Sequence, residues 1–430
     1  MTKAGNQGCN PDAHMIVLEE AQSIVLEHVA PTAVEEAPAW CAAGKPLAAD
    51  ARTDIDLSPF ANSAMDGYAV RASDLAGALQ DAPVTLDVIG HEAAGCVFEG
   101  TVGAGQAVRI MTGALVPSGA DAVVKYEVVE VQDGDGNEGS RVVFRSPVKP
   151  GENVRAAGLE AKRGDVVMAA GEVVTPAGAG LLASAGFATV PVRRAPRVGV
   201  IALGTELVAP SVVPERGQIR DSNSSAIMAS AVAAGAEPTF YGIAIDDEAE
   251  ISALILKAAG ECDFVITSGG ASAGDYDFMT ALIEREGEVL FDRISLRPGK
   301  AITFGMLRGV PILALSGNPA AAYIGFEMLA RPAIRKMLGF AQLKRPVQTA
   351  RVTHDVKKKQ ARRFYNRATV TRDSQTGELT VSEAPTQNSA LLHDLHQGNC
   401  LLMVPDGLVG YAVGDMVPCV RYDIEEGTVL

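Results

Sequence analysis

The stretch Asp263–Met279 reads DFVITSGGASAGDYDFM. An apolar run ends at Ser268, opens into a loop holding Gly269, Gly270 and Gly274, and closes with Asp275 and Asp277. Two chemistries fit these residues. GASAG matches the G-x-S-x-G pattern of a serine hydrolase, with Ser272 as nucleophile. The same glycines would equally form an amide-lined cradle for an anion, with the two acids beside it as metal ligands. A nucleophile elbow starts its helix at once and needs a later His. Here Gly274-Asp275-Tyr276-Asp277 intervenes, and the later histidines, His354, His393 and His396, fall in a β-rich C-terminal region. The hydrolase is the rival reading. P-loop and dinucleotide fingerprints are absent from the strand–helix junctions.

Three more strand ends carry suggestive loops. Gly204-Thr205-Glu206 follows VGVIAL, Asp246-Asp247 follows TFYGIAI, and Ser316-Gly317-Asn318-Pro319 follows PILAL. In open α/β sheets ligands bind beyond the carboxyl ends of the strands. Gly-rich openings onto helices offer amides to phosphate, and the acids offer oxygens to Mg²⁺. Asp246-Asp247 also reads as a plain helix cap. The segment ISLRPGKAITFG adds cations: Arg293 and Arg297 are four apart and would share a face of an extended segment, with Lys300 close behind. Asp66 in SAMDGYAV and Thr112 in RIMTGA read, by themselves, as turn residues.

These loops need elements to hold them. Residues 196–339 alternate strand and helix, with helices predicted at about 222–234, 248–259, 278–285 and 320–338. That pattern is a doubly wound α/β domain with a mainly parallel sheet. Residues 51–147 and those after Gly339 break into short strands between Gly-rich turns and read as two small β domains. Apolar residues at 17, 18, 21, 24, 25 and 29 predict a helix ended by Pro31. DGDGNEGS at 133–140 reads as a hairpin tip; its acids lack the Glu that closes an EF-hand loop.

Composition bounds the rest. The 430 residues are 47% hydrophobic and 21% charged, so the chain can bury real cores. A formal charge of -15 without a basic stripe argues against a nucleic-acid binder. The cysteines at 9, 41, 96, 262, 400 and 419 form no C-x-x-C and read as thiols of a reducing compartment. Residues 1–14 read as a polar tail. Residues 173–192 carry no charge, but Pro176 and Pro191 punctuate them, so they read as a buried helix and not a membrane span.

Taken together, SAMDGYAV, IMTGA, GTEL, ITSGGASAGDYDF, LRPGKAITFG and LSGNPAAA occur in the order found in the MoeA family, the molybdopterin molybdenumtransferases, whose relatives include the gephyrin E domain. The resemblance runs from about residue 14 to the C-terminus. It implies Mg²⁺-dependent insertion of molybdate into adenylylated molybdopterin with release of AMP. It implies a cytoplasmic homodimer and a protein that supplies the adenylylated molybdopterin, with no nucleic acid and no membrane as partner. It implies four domains: a discontinuous linking domain at 15–50 plus 148–195, a β insertion domain at 51–147, the α/β molybdopterin-binding-like domain at 196–340, and a small C-terminal β-barrel at 341–430. Carried over by motif, Glu206, Asp246 and Asp277 would be metal and catalytic acids, with Asp275 as neighbour. Lys300, Arg293 and Arg297 would hold the oxyanion or phosphate. Ser268, Gly269, Gly270, Ser272 and Gly274, with Ser316, Gly317, Asn318 and Pro319, would bind the cofactor. Asp66 and Thr112 would act across the dimer interface.

This sequence departs from the family pattern in three places. Ser316 replaces a usual proline, Arg293 and Arg297 stand where lysines are common, and Leu159-Glu160 replaces Glu-Asp. Arg is a planar fork and Lys a point charge, so molybdate against tungstate is left open. A second rival is a molybdopterin-binding scaffold without turnover.

Overall fold

The computed structural model describes residues 15–245, 247–270, 278–407 and 410–428. The chain divides into two units: Met1–Glu36, Gly171–Val173 and Pro191–Leu430 in the first, Ala37–Ala170 and Val174–Val190 in the second.

The first unit holds a six-stranded sheet: β1 (Arg197–Leu203), β2 (Glu237–Ala244), β3 (Phe264–Ser268), β4 (Gly287–Arg293), β6 (Ala301–Leu307) and β7 (Val310–Leu315), with the short β5 (Leu296–Arg297) lying between β4 and β6 in the chain. The central β1, β3 and β7 are covered on both faces and read as continuous apolar runs, whereas the edge strands β2 and β4 are largely exposed or half-buried. The sheet order is β2-β1-β3-β7-β6-β4. The first four run parallel, and β6 and β4 are antiparallel at one edge. Helices α1 (Leu18–Glu27), α2 (Asn223–Ala233), α3 (Glu248–Glu261) and α4 (Phe278–Glu286) accompany it. Val200, Phe264, Ile266, Leu313 and Leu315 pack with Ile227 of α2 on one face. Ile201, Val265 and Ile312 pack with Ile255 and Leu282 on the other. Each such side chain contributes about 1.5–3 kcal/mol of burial.

The single helix expected at 320–338 is α5 (Pro319–Gly325), a π turn (Phe326–Ala330) and α6 (Arg331–Met337). Pro332 has no N–H to continue the α ladder, which accounts for the irregular turn before it. The same segment carries a buried ion network. Arg331 Nε lies 2.6 Å from Glu426 Oε1, Arg335 Nη1 3.4 Å from Glu426 Oε2, and Arg345 Nε 2.8 Å from Glu327 Oε2.

After this, β8 (Val347–Val352), β9 (Arg363–Arg372), β10 (Leu379–Glu383), β11 (Cys400–Val404) and β12 (Met416–Arg421) close a five-stranded barrel in the order β9-β10-β8-β12-β11-β9. Phe364, Ala368, Val370 and Leu402 fill it. Side chains alternate along a strand. Tyr365 and Leu401 therefore point outward, and they join the core of the α/β sheet. β5 extends β9 in parallel.

The second unit holds a six-stranded sheet, ordered Ala122–Lys125, Gly67–Val70, Gln106–Ile110, Val84–Glu92, Arg141–Phe144, Glu130–Asp133. The expected hairpin tip joins the last two strands, and Asp135 there accepts from Asn137 N at 2.9 Å in an Asx turn. The uncharged stretch holds the nine-residue helix Pro176–Ser184, capped by Thr175 Oγ1 on Gly178 N at 2.9 Å. No helix among the described residues is long and apolar enough to cross a membrane.

Candidate active site

The carboxyl ends of β1, β3 and β7 and the β5–β6 segment meet the barrel domain around a cavity of about 1690 Å³. That exceeds the ~300–1000 Å³ usual for one small molecule and suits a ligand with two parts. Its walls include Glu206, Ser268, Gly269, Gly270, Arg297, Lys300, Ser316, Gly317, Asn318 and Pro319. Motifs far apart in sequence thus converge on one sheet edge, as the strand-end rule predicts.

Gly269 has φ +89° and donates its N–H to Leu315 O at 3.1 Å. A Cβ there would lie 2.1 Å from Leu203 O, so only glycine fits this turn. Gly317 packs beside it, with 3.7 Å between its would-be Cβ and Gly269 Cα. Asn223 ties the two loops: its Nδ2 donates to Ser268 Oγ at 2.7 Å and to Gly317 O at 2.9 Å. At the start of α5, Ala320 N is already taken by Ser389 O of the barrel domain at 2.9 Å. That helix end therefore has fewer free amides than the sequence implies. Glu206 folds back toward Gly204, whose would-be Cβ lies 2.6 Å from Glu206 Oε2.

The shared face expected for Arg293 and Arg297 is not formed. Arg293 ends β4, opposite Ala301 in the α/β sheet, whereas Arg297 lies in β5, opposite Phe364 of the barrel. The chain changes sheets between them, so even spacing sets no common direction. Arg297 lines the cavity with its guanidinium 4.7 Å from the Phe364 ring centroid; Arg293 Nε is 3.7 Å from Asp292 Oδ2 and is not on the wall.

Asp247 caps α3, accepting from Ala249 N at 2.9 Å and Glu250 N at 3.0 Å, as the plain reading has it. Asp246, Ser272, Gly274, Asp275 and Asp277 lie outside the described residues. Among the described residues no group of three or more His, Cys, Asp and Glu is assembled to hold a metal ion. His354, one histidine the elbow reading would need, sits with Nε2 3.1 Å from Glu383 Oε2.

In the second unit Asp66 and Thr112 do come together. Asp66 Oδ1 accepts from both the N–H and the hydroxyl of Thr112, each at 2.7 Å. These hydrogen bonds, the hydroxyl's first, hold the Asp66 carboxyl below its usual range.

One wall residue escaped the sequence reading. Arg367 is fully buried; its Nη2 donates to Thr386 O at 2.9 Å and Asn388 O at 3.1 Å. Its Nε and Nη1 have no hydrogen-bond partner. Burial pulls its pKa below the usual arginine value, only partly offset by Asp394 and Tyr422. A buried guanidinium with idle N–H groups on a cavity wall is costly unless an anion completes it. The available signal was weak: a cation on the strand face shared with Tyr365.

Family models match residues 16–186 as the MoeA N-terminal region (domain I and II), 199–336 as a probable molybdopterin binding domain, and 349–421 as the MoeA C-terminal region (domain IV). A molybdopterin molybdenumtransferase of Bacillus subtilis is 38% identical over 89% of this chain and 88% of its own. One from Haemophilus influenzae is 36% identical over 94% and 98%. The crystal structure of the molybdopterin biosynthesis MoeA protein from Pyrococcus horikoshii superposes with a TM-score of 0.82 at 30% identity, covering 96% of this chain and 100% of that one. The chain belongs to the MoeA family of molybdopterin molybdenumtransferases, transferases of molybdenum cofactor biosynthesis.

Proposed function

We propose that the protein inserts molybdate into adenylylated molybdopterin, cleaves the pyrophosphate link and releases AMP, with Mg²⁺ required. The observation that carries this is Arg367: a buried cation with two idle N–H groups, on the wall of the same cavity that the glycine loops and Glu206 line. Such a site suits a ligand with several oxyanion groups.

The roles follow from the walls. The Gly269–Gly270 turn and the Ser316–Pro319 loop seat the phosphate-bearing chain. Arg297, Lys300 and Arg367 hold oxyanions and offset the charge that builds as the pyrophosphate bond breaks. Carboxylate oxygens are the donors Mg²⁺ takes, so Glu206 at the wall, with Asp246 and Asp277 by motif, would hold it. When bound, the metal supplies charge neutralisation at the pyrophosphate oxygens. A molybdate oxygen attacks one phosphorus of the pyrophosphate, the P–O–P bond breaks and the other phosphate leaves; the dithiolene sulfurs then take molybdenum as its bond to that oxygen breaks, so ¹⁸O from labelled molybdate should appear in AMP or in the pterin phosphate.

The chain would work in the cytoplasm as a homodimer of four domains, divided as the family resemblance implies, with Asp66 and Thr112 completing the site of a second copy. A separate protein would supply the adenylylated molybdopterin. A scaffold without turnover is separated by one experiment. Asp277→Ala should retain the substrate and lose AMP release by about a hundredfold or more. Equal release by Asp277→Ala would remove that residue from the site, and no release by the unsubstituted protein would favour the scaffold.

A further inference from the structure

The cavity has an exposed basic lip as well as a buried basic wall. The run Lys357-Lys358-Lys359 begins in the short strand Val356–Lys357, which pairs with Gly410–Tyr411. Alternation splits the three side chains. Lys358 is turned inward: it is 7% exposed, donates to Pro405 O, and its Nζ lies 5.2 Å from the Phe364 ring centroid. Lys357 and Lys359 are exposed on the other side, and both line the large cavity and a shallower one of about 530 Å³ beside it.

The neighbouring cations are committed. Arg363 is held by Glu19 and Asp406, and Arg362 by Leu296 O and Gln360. No ion pair among the described residues engages Lys357 or Lys359. Of the nearby acids, Asp355 accepts from Val413 N at 2.9 Å and Glu383 is bound to Asn366 and His354. The chain as a whole carries -15, a field that repels a multiply charged anion unless the entrance offsets it.

We propose that Lys357 and Lys359 are an entry station, a hydrated two-point cationic site that captures the anionic substrate and delivers it to the buried Arg367. This rests on the insertion reading for the identity of the anion. The division of labour follows from the side chains. Exposed ammoniums on flexible stems attract over about a Debye length and hold weakly, and salt screens them. They set the rate of arrival and leave the bound state to the inner wall.

The test uses the full chain and the intrinsic fluorescence of the pterin. Stopped-flow association of adenylylated molybdopterin would be followed at low and high salt, with AMP quantified in the same reactions. A second arm reads the molybdate concentration dependence of AMP formation, which separates the two anions as the species captured. Lys357→Gln with Lys359→Gln should slow association, or raise the molybdate requirement, about three- to tenfold at low salt. The difference should vanish near 0.5 M salt, where the Debye length is only about 4 Å. Dissociation should not change, and the Lys→Arg pair should restore the rate, which a folding defect would not allow. Unchanged behaviour in both arms, or a change confined to dissociation, would overturn the station. Binding without AMP release would overturn the insertion reading alone. No binding by the unsubstituted protein would overturn both.

Discussion

Arg367 and Asp66 sit in opposite situations, and each makes a prediction. Arg367 is fully buried with part of its guanidinium unpaired, so it costs stability unless a ligand completes it. Arg367→Met should leave the melting temperature unchanged or raised while lowering molybdate-dependent AMP release by about a hundredfold or more. A large loss of stability with normal turnover of the remaining folded protein would contradict the assignment. Asp66 is exposed and is held ionised chiefly by the Thr112 hydroxyl. Thr112→Val removes that donor, so the Asp66 pKa should move up toward the ordinary carboxylate value in a carbon-detected NMR titration. No movement would mean that the backbone N–H of Thr112 suffices. Residues that line the cavity were readable where chemistry and glycine coincide, as at Gly269, Glu206 and Lys300. They were unreadable at Arg367 and Asn223, because a lone polar residue in a strand or at a helix start announces nothing until packing shows what it faces.

At the scale of elements, ion pairs at strand starts are testable by pH. Asp263 precedes β3, and Arg194 grips it from before β1, Nη1 to Oδ2 at 2.8 Å and Nη2 to Oδ1 at 2.9 Å. Burial pushes the Asp263 carboxyl up, but the Arg194 and Arg197 hydrogen bonds outweigh it and bring it to about 2. Its contribution is therefore fully present above the unfolded value of about 3.9 and is lost as pH falls through about 2. Arg194→Met should move the acid-unfolding midpoint, followed by circular dichroism, to higher pH; an unmoved midpoint would show that the pair adds nothing. The strands and most helices of the α/β sheet were legible because apolar runs ended in Gly-rich loops. The π turn was not, since Pro332 reads from sequence as compatible with a helix start as much as with a mid-helix irregularity. The Arg293–Arg297 pairing failed for a related reason. Period-two reasoning holds within one strand, and here the chain passes from one sheet to another within four residues.

For the whole molecule, composition excluded classes of function, and ordered motifs pointed to a family. The C-terminal barrel was expected from the family resemblance and is closed by five strands, but its strand order and the way it walls the cavity came only from three-dimensional pairing, because short strands in sequence do not declare their neighbours. The homodimer proposal belongs to this scale: light scattering should give about twice the 44.7 kDa of one chain, and a monomer at working concentrations would leave Asp66 and Thr112 without a site to complete. The measurement that bears most directly on the central claim is chromatographic. Purified protein is mixed with adenylylated molybdopterin and Mg²⁺, with and without molybdate, and AMP is quantified over time. The account predicts AMP release that depends on molybdate and stops when Mg²⁺ is chelated. Tight binding of the substrate by folded protein, with no AMP in either condition, would contradict it.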